Sequence, residues 1–212
     1  MTEEIPDFGI EWPRNTSLLS RHNYCAFHNR GKGSYYHRKE LISTLWPKDY
    51  AWHRWNERRL RSVCDHSWVT WLGPGGSAKT TDAAVFALQY WLEAPNETAV
   101  IVCSTTMKML RKRIWGQVAA YHQKLPQNIG PVGELLDSDT MIRWRKGDPK
   151  NGIFGMAVEE GPIEEVMNNL IGIHTTRVWL ILDEMQGVRQ AIMLAANNIA
   201  KNPVAKMLGI VV

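Results

Sequence analysis

The sequence predicts an α/β fold in which a mostly parallel sheet lies between layers of helices. Continuous apolar runs recur along the chain, at 68–72, 98–103, 177–182 and 207–212. Runs of this kind are typical of strands that are buried on both faces. Segments with helical periodicity lie between them, and alternation of strands and helices is what produces a parallel sheet.

Length and composition describe an ordinary globular chain. The 212 residues suffice for one sizeable α/β domain, and 44% are apolar while 22% are charged. The net charge of +4 allows a polyanionic partner without requiring one. Three widely spaced cysteines, Cys25, Cys64 and Cys103, indicate free thiols in a reducing compartment. An acidic N-terminus and the lack of a long apolar run predict a cytoplasmic protein without membrane contact.

The chain divides into two parts. Residues 1–48 have weak periodicity and a loop signature at 31–34, so we expect an irregular N-terminal extension that ends at Trp46-Pro47. Residues 49–212 form the main domain. Within the extension, His22, Cys25 and His28 resemble half of a metal site, but no second Cys/His pair completes it.

Helical periodicity predicts helices at 50–64, 82–93, 107–124 and 188–199. Ser104-Thr105-Thr106 is expected to cap the third of these, which begins with a basic cluster. Between 126 and 158, glycines and prolines separate short apolar runs, and this pattern predicts antiparallel hairpins or an insertion at the sheet edge.

The stretch from Gly73 to Thr81 has the layout of a phosphate-binding P-loop: a strand, a glycine-rich turn, Lys-Thr and a helix. Its residues are Gly73, Pro74, Gly75, Gly76, Ser77, Ala78, Lys79, Thr80 and Thr81. Glycines let several N–H groups point at one anion, Lys79 reaches the outer phosphates, and Thr80 ligates Mg²⁺. Ala78 departs from the motif, which has glycine there.

A second stretch completes the chemistry about a hundred residues later. The apolar run 177–182 ends in Asp183 and Glu184, as expected for the magnesium strand of a P-loop NTPase. Asp183 is predicted to hold Mg²⁺, and Glu184 to deprotonate the water that attacks the γ-phosphate. With the loop, this pair predicts a three-layer, RecA-like P-loop NTPase of the additional-strand, catalytic-glutamate type.

From Tyr50 to Val212 the chain resembles the ATPase domain of tailed-phage large terminase subunits, the motors that package DNA. The resemblance rests on the loop 73–81, on the strand, Ser/Thr turn and basic helix at 100–115, on the run from Leu170 to Glu184, and on the helix and strand that follow it.

This resemblance implies an ATP-hydrolysing motor domain that drives double-stranded DNA into procapsids, with ATP and Mg²⁺ as ligands. It implies a ring of identical subunits, a pentamer in that family, and as partners a portal and a small terminase subunit in the host cytoplasm. The family's coupling motif and nuclease domain are expected beyond residue 212. We therefore expect a truncated chain without nuclease activity.

The resemblance also suggests further site residues. Asn56 lies where the family has a glutamine that reads adenine, and Trp55 beside it is expected to stack on the base. Many terminases carry an arginine inside the P-loop, whereas this chain has Gly75 and Gly76 there. The charge-neutralising arginine then comes from Arg111, Arg113 or a neighbouring subunit.

Two other classes of function fit these patterns. The first is another RecA-like nucleic-acid-dependent ATPase, such as a helicase or a transposition ATPase, because the Asp-Glu pair does not separate these classes. The second is a non-catalytic nucleotide-binding assembly module, which Ala78 and the missing loop arginine favour. Basic residues at 54–61, 108–113 and 143–150 are candidates for DNA phosphate contacts.

Overall fold

A seven-stranded sheet forms the centre of the fold. The computed structural model describes residues 32–125, 132–144, 150–158, 175–187 and 205–211. The strands are β1 (Trp68–Leu72), β2 (Thr98–Ser104), β3 (Glu134–Leu136), β4 (Met141–Arg143), β5 (Gly152–Ala157), β6 (Arg177–Leu182) and β7 (Lys206–Val211). Their order across the sheet is β1-β7-β6-β2-β5-β4-β3.

The first five strands in this order are parallel, and β4 and β3 run antiparallel. Strand β7 lies between β1, which precedes the glycine-rich loop, and β6, which ends next to Asp183. This is the additional strand that the sequence predicts, and the α/β fold with a mostly parallel sheet is confirmed. The antiparallel edge expected within 126–158 is present, but β5 itself joins the parallel part.

The helices of the described segments are α1 (Lys32–Leu45), α2 (Arg54–Asp65), α3 (Lys79–Glu93) and α4. Helix α4 consists of an α-helical turn (Met107–Leu110), a π-helical segment (Arg111–Trp115) and a longer α-helical part (Gly116–Gln123). Its N-cap is Thr106, whose hydroxyl accepts a hydrogen bond from the Met109 N–H, as the Ser/Thr turn predicts. The predicted helix 188–199 lies outside the described residues.

The central strands are covered on both faces. Every residue of β2 and of β6 is buried, and successive side chains on a strand point to opposite faces. Helix α3 is equally enclosed, with all but its two early threonines buried. These elements are apolar almost throughout because no face of them contacts water. Cys64 and Cys103 are free thiols, as expected, and the described residues include no helix that could span a membrane.

Residues 35–46 pack as part of the main core. The sequence pattern predicts a loop at 31–34, whereas α1 begins at Lys32. Its side chains Leu41, Ile42 and Leu45 are almost wholly buried, as is Trp46, whose indole N–H donates to the Tyr121 carbonyl at 2.9 Å. The helix is not evident in the sequence because charged and polar residues interrupt its apolar face. The candidate metal residues His22, Cys25 and His28 lie outside the described residues.

A buried ionic network joins three of these elements. The carboxylate of Glu93, at the end of α3, is fully buried and accepts hydrogen bonds from Arg38 of α1 at 2.6 and 3.1 Å. Arg177, the first residue of β6, donates to the same carboxylate at 2.5 Å. Because removing one partner of a buried pair leaves an uncompensated charge, this network fixes α1 and β6 against the end of α3.

Lys206, the first residue of β7, closes the end of α2. Its ammonium group donates to the Val63 carbonyl at 2.5 Å and to that of His66 at 3.3 Å. Burial, and next the positive charge of Arg38, lower the pKa of Lys206 to about 8.

This pKa predicts that the protein becomes more stable as the pH rises from 8 towards 10. The folded state releases the Lys206 proton at a lower pH than the unfolded state, whose lysine pKa is 10.5, so unfolding takes up a proton in this range. We expect a gain of roughly 2 kcal/mol in the free energy of unfolding between pH 7 and pH 10. Urea denaturation at each pH measures it. Lys206→Met should lack this gain, and parallel pH profiles of the two proteins would contradict the assignment.

Candidate active site

The glycine-rich loop wraps around the side chain of Lys79. Residues 73–78 connect β1 to α3, and Lys79 is the first residue of the helix. Its ammonium group donates to the carbonyls of Gly73 and Pro74, at 2.5 and 2.9 Å, and contacts the Ser77 hydroxyl at 3.1 Å. Lys79 is only 4% exposed. The loop thus presents a cation and a helix N-terminus to one small space, which is the arrangement that binds phosphate.

Two residues of the loop have left-handed backbone conformations. Gly76 has φ +76°, which glycine adopts without strain. Ala78 has φ +60° and ψ 14°, and this conformation costs an L-residue with a Cβ about 1–2 kcal/mol. The residue that departs from the motif therefore occupies a position that favours glycine. The loop keeps its shape with alanine, at a cost in stability.

The loop and the end of β6 face the same space. Burial is the main cause that lowers the pKa of Lys79, repulsion from Arg59 lowers it further, and attraction to Asp183 opposes both. Parallel strands place their carboxyl ends at one edge of the sheet, which is why residues about a hundred positions apart in sequence meet here.

Asp183 is a buried carboxyl group whose second oxygen lacks a protein partner. Its N–H donates to the Cys103 carbonyl at 2.8 Å, and the residue is 1% exposed. Within the described part of the chain, neither Asp183 Oδ2 nor the neighbouring Ser104 hydroxyl has a hydrogen-bond partner. Burial raises the pKa of Asp183 to about 6, despite the charge of Arg113.

These atoms suit a magnesium ion. Mg²⁺ prefers oxygen ligands and takes one or two carboxylates together with phosphates and water. The described residues hold no group of three or more His, Cys, Asp or Glu side chains, so an ion here would take its other ligands from a nucleotide and from water. Thr80, predicted as a second ligand, is the second residue of α3 and is half-buried.

Glu184 is held in an unusual backbone conformation by its surroundings. Its φ is +55°, and the 3₁₀ turn Met185–Gly187 follows directly. A Cβ built on Gly209 of β7 would overlap the Met185 sulfur, so glycine is required where this turn packs on the sheet. Residues in sparsely populated conformations persist only where neighbours impose them, and they cluster at functional sites.

Arg113 forms an ion pair with Glu184. It lies in the π-helical segment of α4, and π segments inside helices are frequent at functional sites. Of the two arginines that the sequence suggests, Arg113 is the one that contacts this carboxylate. Arg111 is exposed and donates to the Ser138 carbonyl at 2.8 Å.

The two residues expected to contact adenine lie at the start of α2. Asn56 is 1% exposed, and its amide is used locally: it accepts from the His53 N–H at 2.8 Å and donates to the Ala51 carbonyl at 2.9 Å. An adenine contact by Asn56 requires this cap to open. Trp55 is 59% exposed, with Arg54 and Arg58 near its ring.

A third group, not predicted from the sequence, flanks the first turn of α3. The buried carboxylate of Asp82 accepts a hydrogen bond from the Tyr50 hydroxyl at 2.8 Å and one from Arg59 of α2 at 2.5 Å. The Arg59 guanidinium also lies 5.8 Å from the centre of the Trp71 ring. The sequence signal for this group is weak, because an acidic residue in the first turn is common at helix starts and Arg59 is one of several arginines in α2.

Comparisons with known proteins agree with the fold. No protein-family model and no curated protein matches the sequence. Among solved structures, the HK97 bacteriophage large terminase superposes with a TM-score of 0.58 at 12% identity, over 76% of this chain and 33% of that chain. A mutant of the Thermus phage P74-26 large terminase ATPase domain gives 0.56 at 18%, over 86% and 69%. The large terminase of a thermophilic bacteriophage gives 0.52 at 15%, over 82% and 38%.

The chain therefore has the fold of the phage large terminase ATPase domain, as the resemblance in its sequence predicts. It spans about a third of the length of the HK97 terminase.

The left-handed conformation of Ala78 predicts that Ala78→Gly stabilises the protein by about 1 kcal/mol. Glycine removes the clash of the Cβ, and its greater freedom in the unfolded chain offsets only part of this gain. Urea denaturation measures the difference. Ala120→Gly, in an exposed helical position of α4, is the matched control and should destabilise by about 1 kcal/mol. Loss of stability in both variants would exclude the left-handed conformation at Ala78.

Proposed function

We propose that this chain is the ATP-hydrolysing motor domain of a viral large terminase. The observation that carries the proposal is the convergence of the lysine-bearing loop 73–81 with Asp183 and Glu184 at one edge of a terminase-like sheet. This convergence supplies an anion cradle, oxygen atoms for a metal ion and a carboxylate that can act as a base.

Each group has a role in the proposed reaction. Backbone N–H groups of the loop and the Lys79 ammonium bind the β- and γ-phosphates, while Thr80 and Asp183 hold Mg²⁺. The metal ion neutralises negative charge on the phosphates when it is bound. Glu184 orients the attacking water and accepts its proton. Arg113, which contacts Glu184, is placed at the γ-phosphate end of the site.

Nucleotide specificity and DNA contact are the less constrained parts of this proposal. Trp55 is accessible for stacking on adenine, whereas Asn56 serves as a cap in this conformation. Basic residues of α2 and α4 are candidates for contact with DNA phosphates. Arg143 is engaged with Glu134 at 2.8 Å. By the same family resemblance, the domain works in a homo-oligomeric ring on double-stranded DNA, with a portal and a small terminase subunit.

A non-catalytic nucleotide-binding module is the second candidate, and the strained Ala78 in the phosphate loop favours it. The two functions share the binding site. They differ in turnover.

ATP turnover therefore tests the proposal. We expect Glu184→Gln to reduce kcat by at least about 100-fold while nucleotide affinity is kept, because a general base contributes roughly 10²–10⁴-fold. Lys79→Ala should weaken nucleotide binding itself. Phosphate release and binding of a fluorescent ATP analogue, with Mg²⁺ and with or without double-stranded DNA, measure the two effects.

Glu134→Gln serves as the control, because it removes an exposed carboxylate on β3 away from the site. Its kcat should equal that of the unaltered protein. If the unaltered protein, assembled on DNA, binds ATP but hydrolyses it no faster than Glu184→Gln, the motor function is excluded and the binding module remains.

A further inference from the structure

Arg59 is a second cation beside the phosphate loop, contributed by a different helix. It lies on α2, its side chain is 13% exposed, and one guanidinium nitrogen, Nη1, contacts Asp82 Oδ2 at 2.5 Å. A guanidinium group has five N–H donors in a planar fork, so this bond leaves further donors for another acceptor. The partial exposure means that the group is not sealed within the core.

The contact with Asp82 places Arg59 near the lysine of the loop. Lys79 and Asp82 are three residues apart on α3, and residues with this spacing lie on the same side of a helix. Arg59 is also close enough to Lys79 for their positive charges to repel each other. Two cations held near one another at a helix N-terminus are unfavourable on their own, and a bound polyanion offsets that cost.

The position of Arg59 is fixed from several sides. The Trp71 ring of β1 lies 5.8 Å away, and the Tyr50 hydroxyl holds the other oxygen of Asp82 at 2.8 Å. Because α2 packs against both β1 and α3, the guanidinium is held where the strand enters the loop and the helix leaves it. A group held in this way needs little reorganisation to bind a ligand.

The loop itself offers one cation, Lys79, and has glycine at positions 75 and 76. We propose that Arg59 supplies the second one: its guanidinium bridges the Asp82 carboxylate and an outer phosphate of the bound nucleotide. This inference rests on the proposed function, because it assumes that the loop binds a nucleoside triphosphate. The competing explanation is that Arg59 only neutralises the buried charge of Asp82.

A double-variant comparison separates these two roles. Equilibrium affinities for ATP, ADP and AMP, with Mg²⁺, are measured for the unaltered chain and for Arg59→Met, Asp82→Asn and the combination of both. Asp82→Asn keeps an oxygen that can accept from Tyr50 and removes the charge that Arg59 would neutralise. The combined variant therefore has no buried carboxylate left unpaired at this position, and thermal unfolding checks that each variant is folded.

We expect Arg59→Met to weaken ATP binding about tenfold or more, because charge-assisted bidentate contacts are among the strongest hydrogen bonds, and to leave AMP binding within about twofold. Asp82→Asn should bind ATP at least as well as the unaltered chain, and adding Arg59→Met to it should again cost about tenfold. Arg59→Lys should be intermediate. Arg58→Met removes an exposed charge from the preceding position of α2 and should change ATP affinity by less than about twofold.

Equal ATP affinity of Asp82→Asn and the combined variant would overturn the inference, since Arg59 would then act through Asp82 alone. Equal weakening of ATP and AMP would also overturn it. A failure of the proposed function is distinguishable: the unaltered chain would then bind no nucleotide, or Lys79→Ala would leave its affinity unchanged.

Discussion

Two buried carboxylates, one near each end of α3, hold the helix that carries Lys79. Asp82 is fixed in the first turn by Tyr50 and Arg59, and Glu93 at the end by Arg38 and Arg177. A buried carboxylate is costly to desolvate, so each needs its partners to remain in place. Those partners come from α1, α2, β6 and the segment between α1 and α2. The position of Lys79 thus depends on elements far from it in sequence.

The site also contains backbone strain on both sides. Ala78 and Glu184 are two of the three non-glycine residues with positive φ among the described residues, and one lies on each side of the space between loop and sheet edge. Each costs on the order of 1 kcal/mol or more. A fold that keeps two such residues at one site gives up stability to hold an N–H cradle and a carboxylate in fixed directions.

Local pattern is enough to predict the parallel strands, the loop, Thr106 as a cap and the sheet edge at which Asp183 and Glu184 lie. Continuous apolar runs and turn residues encode these features within short windows. The partners of the charged side chains cannot be predicted in this way. Arg59, Arg113 and Arg177 look alike in sequence, and the packing of α2, α4 and β6 decides which carboxylate each one meets. The cap formed by Asn56 is hidden for a similar reason, because it depends on His53, an uncommon N-cap residue.

The π-helical segment of α4 has a consequence for how this site tolerates insertions and deletions. The Gly116 N–H donates to the Arg111 carbonyl, five residues earlier, so this stretch holds one residue more than an α-helix of the same span. Loss of one residue between 111 and 115 would restore regular α-helical bonding without moving the apolar contacts of Val118 and Tyr121. It would rotate the preceding turn by about 100° relative to them and turn a cation away from Glu184. A change that is silent for the fold would therefore be felt in the chemistry, and helix length here is a functional trait rather than a structural one.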